Sequence, residues 1–157
     1  MRAKSNETDG YIIYAVSGTN TISFAIDFRN ANTNGLLGFA VERINKATGK
    51  KKPIKGYKVF RDIIQNPTPE TVVSTFDHPV QSFVWDDFTC YDNTKYEYLF
   101  HPVKGTPLNL DRNYNPISIT ISMNHFLVTW SMMFFLIVGL QAARLIAGNS
   151  IIYDQIK

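Results

Sequence analysis

Apolar and polar residues alternate with a period of two along much of the chain from Tyr11 to Ser122, which predicts strands rather than helices. Tyr11 to Ser17 (YIIYAVS) is β-branched and aromatic and stops at Gly18. In Thr21 to Phe28, Ile22, Phe24, Ile26 and Phe28 fall on one face, and Ser23, Ala25 and Asp27 on the other. After the turn cluster Asn30 to Gly35, the segment Leu36 to Ile44 sets Leu37, Phe39 and Val41 on one face. Tyr57 to Phe60 starts a further strand that extends through Ile64, and Val80 to Trp85 alternates again. Lys95 to Val103 aligns Tyr96, Tyr98 and Phe100, with Pro102 marking its end, and Ile117 to Ser122 supplies the last strand. Asn45 to Gly56 reads as a basic hairpin loop. Asn66 to Glu70 is a loop because its two prolines remove ladder donors and restrict the residues before them. About seven short strands between turn signals predict an all-β fold, an antiparallel β-sandwich over residues 11–122. Residues 1–10 are expected to be disordered, and residues 123–157 form an apolar tail with a helical reading.

Within this pattern, Gln81 to Val103 resembles the E strand, corner and F strand of fibronectin type III and immunoglobulin-like domains. There a tyrosine near the start of strand F bonds back over the corner. The resemblance gives that role to Tyr96 and makes Phe88 the apolar plug beneath the corner; the alternation of Val80 to Trp85 puts Trp85 in the core, and all three are structural assignments.

Composition changes this picture little before Arg112 and a great deal after it. Among Lys, Arg, Asp and Glu, only Arg144, Asp154 and Lys157 lie beyond that point. The net charge of +3 comes with a basic stretch of Lys46, Lys50, Lys51, Lys52, Lys55 and Lys58. Such a run either keeps a hairpin tip solvated or binds anions weakly; Lys50, Lys51 and Lys52 are the candidates for the second role. Cys90 is the only cysteine, so an internal disulfide and a thiolate metal site are excluded. Met1 to Gly10 lacks the apolar core of a signal peptide, and the expected location is the cytoplasm.

No catalytic constellation emerges. His78, His101 and His125 sit in unrelated segments, whereas a metal site needs converging ligands. Asp86 and Asp87 are adjacent and would face opposite sides of a strand, so they make no acid–base pair, and Asp87 reads as a turn residue. Gly35-Leu36-Leu37-Gly38 has neither the spacing of a phosphate loop nor a following helix. Tyr57, Phe60, Phe83 and Trp85 could stack on bases, but alternating aromatics in a sandwich read first as core. No cofactor, no metal and no specific nucleic acid are expected.

Three stretches resemble the N-terminal region of bacterial phospholipase D-like proteins: Gly35 to Arg43 (GLLGFAVER), His78 to Asp87 (HPVQSFVWDD) and Tyr96 to Pro107 (YEYLFHPVKGTP). The resemblance covers roughly residues 10 to 122 and implies an accessory, non-catalytic sandwich whose partner is a C-terminal phosphodiesterase domain in cis. That domain works through H-x-K-x(4)-D motifs. His101 and Lys104 are spaced one residue too widely for one, so no catalytic residue carries over.

Two readings compete for the tail. Phe126 to Ala143 is 18 residues without a charge, with Trp130 near its start and Arg144 closing it, and reads as a transmembrane helix in a small single-pass membrane protein displaying a β-domain. Alternatively, the family sequence after the sandwich resembles H-D-V-F-F-N-R-G. Reading the third base of one codon with the first two of the next turns Met132-Met133 into Asp and Met133-Phe134 into Val. The codons of Leu136 to Gly139 then permit Asn-Arg-Gly. This implies a frameshift near Ser122 or Met123, a truncated sandwich module and an out-of-frame tail.

Overall fold

An Asp-Gly pair starts the fold. In the computed structural model, which describes residues 1–29 and 32–123, Asp9 and Gly10 have φ of 50° and 81°. Positive φ at both central residues is the type I′ geometry whose twist suits a hairpin. Thr8 and Tyr11 exchange both backbone hydrogen bonds across it, at 3.0 and 2.9 Å. The turn brings β1 (Arg2–Lys4) against β2 (Tyr11–Ser17). Ser5 is buried, and its Oγ accepts the Ile13 N–H at 2.9 Å. The disorder expected for residues 1–10 is therefore corrected: the polar segment is held by the edge of a sheet, a partner that its own composition does not reveal.

The first sheet runs β1-β2-β3-β8, with β3 at Ile22–Phe28 and β8 at Val84–Asp87. In the second, β9 (Lys95–Thr106) is flanked on one side by β4 (Leu36–Asn45) and then β5 (Lys51–Pro53). Its other side carries β10 (Asn109–Asp111) and β11 (Ile117–Ser122). A separate hairpin joins β6 (Lys55–Gly56) to β7 (Val73–Ser74). Four strands, β1, β2, β3 and β8, thus face five, β10, β11, β9, β4 and β5. Every pairing is antiparallel, and no helix occurs among the described residues.

The two sheets meet through aromatic rings. Phe24 of β3 lies 4.7 Å from Tyr98 and 5.2 Å from Phe100 of β9, and stacks on Trp85 of β8 at 5.4 Å. Such pairs contribute about 0.5–1.5 kcal/mol each beyond their buried area. Ile117, Ile119 and Ile121 of β11 complete the layer, and Met123, past the strand end, is as buried as they are. The Met123 N–H donates to Thr94 C=O at 2.9 Å, which carries the domain one residue beyond the expected boundary.

Several local expectations are corrected by the way the strands pair. A bulge between Leu36 and Gly38 shifts the phase of β4, so Leu36 rather than Leu37 packs against the core with Phe39 and Val41. Phe28, at the end of β3, is half exposed and covers Phe83 instead of the interior. Tyr57 to Phe60 forms no strand; β6 ends at Gly56, and the Phe60 N–H is tied to His78 Nδ1 at 3.1 Å.

Pro102 does not end β9, and the reason is geometric. Opposite it, Phe39 exchanges its backbone bonds with Val80 on its other side, at 3.0 and 2.8 Å. Pro102 and Phe39 are therefore a non-hydrogen-bonded pair. On its far side Pro102 falls between the last residue paired to β11, Phe100, and the first paired to β10, Lys104. The missing N–H has nothing to donate to. The same bridge shows that Val80 to Trp85 is not one strand: Val80 borders the second sheet, and β8 belongs to the first.

Candidate functional site

The alternation in β4 that places Phe39 and Val41 inward places Arg43 inward as well, and Arg43 is buried. Its partner is Asp87, at the end of β8 in the opposite sheet. Arg43 Nη1 donates to Asp87 Oδ2 at 2.7 Å, and Tyr98 Oη donates to the same oxygen at 2.9 Å. The second carboxylate oxygen accepts from the Thr89 N–H at 2.8 Å and the Thr89 hydroxyl at 2.7 Å. Arg43 also lies 4.8 Å from the centre of the Tyr96 ring. Burial would raise the Asp87 pKa, but the Thr89 hydrogen bonds, the Arg43 charge and the Tyr98 hydroxyl together hold it below the usual carboxylate range. Asp87 anchors the turn that the sequence predicts, through Thr89, and is also the centre of a buried ion pair across the sandwich.

This cluster is chemically saturated. A carboxylate whose oxygens are already engaged, and whose pKa is held low, is a poor proton acceptor. Burial raises the Tyr98 hydroxyl pKa, and the Asp87 charge adds to it. Cys90 Sγ lies 3.2 Å from Tyr98 Oη, and burial pushes its thiol up to about 11, where it is neither nucleophile nor ready metal ligand at neutral pH.

Tyr96 is buried, and its hydroxyl accepts the Tyr91 N–H at 3.0 Å, bonding back across the turn that contains Asn93 at φ 51°. Phe88 does not plug this corner. It is 72% exposed, and Cys90 packs against the core instead. Phe88 follows the last paired residue of β8, and nothing turns its side chain inward. Trp85 is half-buried on Phe24.

The remaining candidates do not converge. His78 is buried and holds Phe60. His101, on β9, faces Glu42 at 3.3 Å. His125 lies outside the described residues. No group of three or more His, Cys, Asp or Glu side chains stands close enough for a metal ion among the described residues. Tyr57 is 73% exposed and Phe83 39%, so the aromatics proposed as core or stacking platform form neither as a set. Of the lysines, Lys51 is paired with Glu42 and Lys46 with Glu97, while Lys50 and Lys52 are exposed without an ion pair among the described residues.

One concave feature gathers several of these residues. An open groove of about 760 Å³ runs between the segment from Lys52 to Lys58 and the segment from His78 to Thr89. Sequence reasoning missed it because its walls are 20 or more residues apart in the chain and belong to different sheets. No helix among the described residues is long and apolar enough to cross a membrane, and the span 126–143 lies outside them. Neither the family models, nor the curated proteins, nor the solved structures give a match to this chain.

Proposed function

We propose that the sandwich is a non-catalytic accessory module of the fibronectin type III or immunoglobulin-like kind, from a phospholipase D-like protein whose chemistry belongs to a separate phosphodiesterase domain in cis. The observation that carries this reading is the Arg43–Asp87–Tyr98 cluster. The best-organised charged groups in the fold are engaged with one another, between sheets, and leave no base or nucleophile facing solvent. The two antiparallel sheets joined by an aromatic core and the Tyr91–Tyr96 bond are further features such a module would have. The resemblance of His78 to Asp87 and its neighbours supplies the family.

Two measurements test it. The full chain should not hydrolyse bis(p-nitrophenyl) phosphate above the buffer rate; hydrolysis that survives purification to homogeneity would refute the non-catalytic reading. Sequencing the gene from about codon 110 to well past codon 157, in all three frames, tests the origin of the tail. A shifted frame continuing into Asp-Val-Phe-Phe-Asn-Arg-Gly and later H-x-K-x(4)-D supports the truncated module. If no other frame stays open, the uncharged run from Phe126 to Ala143 favours the membrane-anchored reading instead.

A further inference from the structure

The strand β8 has a partner on one side only: it pairs with β3 and ends the first sheet. The bond from Ile26 N–H to Phe83 C=O, at 2.8 Å, fixes the phase of that ladder. Counting on by two, Trp85 and Asp87 direct their backbone groups to Phe24 and Ile22, and Val84 and Asp86 direct theirs outward. The Val84 N–H is taken by Ser82 Oγ at 3.2 Å. The Val84 C=O and both backbone groups of Asp86 have no partner among the described residues. The groove is lined by Val84 to Thr89 without a gap, so residues pointing inward and residues pointing outward both border it. A surface bordered by both sets faces the edge of a strand rather than one of its faces.

Across the groove stand Lys52, Lys55 and Lys58, none in an ion pair among the described residues, whereas Lys46 and Lys51, away from it, are paired. Asp86 and Asp87 are the acids on its walls, and Asp87 is neutralised by Arg43. Four exposed apolar side chains, Tyr57, Val72, Val84 and Phe88, line the same groove. The treatment of the two neighbouring edges differs as well. Strand β5 has the sequence Lys51-Lys52-Pro53, with lysines and a proline that discourage pairing; β8, Val-Trp-Asp-Asp, has neither.

We infer that the groove receives an extended acidic peptide of a partner protein, which adds as a strand to the free edge of β8 with its carboxylates toward Lys52, Lys55 and Lys58. Backbone pairing supplies the register, and alternate apolar side chains meet Val84 and Phe88. A polyanion such as nucleic acid matches the lysines but offers no ladder to Val84 and Asp86, which is why a peptide is the better occupant.

The test is fluorescence anisotropy of the full chain with a short labelled peptide alternating valine and glutamate. The peptide should bind saturably and more weakly as salt rises. Methylating its backbone amides on the pairing side should weaken binding at least about tenfold, the equivalent of one hydrogen bond. Asp86→Pro should weaken it similarly: it removes an outward N–H, leaves the bonds of Trp85 and Asp87 to β3 in place, and deletes a negative charge that could only have repelled the peptide. Replacing Lys52, Lys55 and Lys58 with serine should weaken binding and flatten its salt dependence. If Asp86→Pro fails to fold, the methylated peptide decides the question on the unaltered protein. Equal binding of methylated and unmethylated peptides overturns the inference. So does no saturable binding at millimolar peptide, or an oligothymidylate that binds as tightly as the peptide.

Discussion

Arg43 and Asp87 show what one residue of each sheet does for the other. Both are buried, and each cancels the cost of taking the other out of water only while the hydrogen bonds of Tyr98 and Thr89 are also made. Breaking such a pair by removing one charge leaves the other uncompensated, a loss of about 3–5 kcal/mol. Asp87→Asn should therefore be less stable by that amount in urea titrations at pH 7. The Asp87 pKa lies below its unfolded value, so its contribution is complete above about pH 3.9 and is lost as pH falls through the folded pKa. The gap between the parent chain and Asp87→Asn should narrow below about pH 4. A gap that stays constant down to pH 2 would assign the stability to shape rather than charge.

At the level of elements, the decisive features are the places where strands leave their simple register. Gly38 follows the bulge in β4 with φ 146°, and a Cβ there would stand 2.2 Å from the Val80 carbonyl oxygen. The glycine thus serves the approach of Val80 and Gln81 to β4, and through it the position of β8. Gly38→Ala should cost more than about 1 kcal/mol, because both the backbone conformation and the space are wrong for a side chain. In a thermal melt that is a fall of roughly 4 °C or more for a domain of this size. Loss of amide protection at Phe39 and Val80 before the rest of the sheet would place the damage at the bridge; an unchanged melt would show that Val80 can move aside freely.

For the whole molecule, the sandwich closes with β11 and Met123. A chain ending after Met123 should show β-type circular dichroism and a cooperative unfolding transition. Ending it after Asn115 removes Ile117, Ile119 and Ile121, all at most 2% exposed, and should abolish that transition. An unfolded product from the longer chain would mean that the sandwich depends on residues beyond it.

The all-β class and most strand centres were legible in the sequence, because a half-buried strand writes its burial as a period of two. Phe24, Tyr98, Phe100 and the isoleucines of β11 were identifiable on that ground alone. Arg43 was also within reach, two places after Val41 on the inward face, but an arginine there is interpretable only once Asp87 arrives from the other sheet. The Asp9-Gly10 turn was a readable hairpin signal, and the pairing it implies was overlooked because Arg2 to Lys4 has no apolar pattern of its own. Long-range contacts decided the rest. The fate of Pro102 depended on where β10 and β11 stop, the phase of β4 on a bulge against Val80, and the exposure of Phe88 on where β8 ends. The groove depended on the segment from Lys52 to Lys58 lying beside the edge of β8, which belongs to another sheet. Local sequence fixes which side of a strand is apolar; which edge of that strand stays open is settled only when every other strand has found its place.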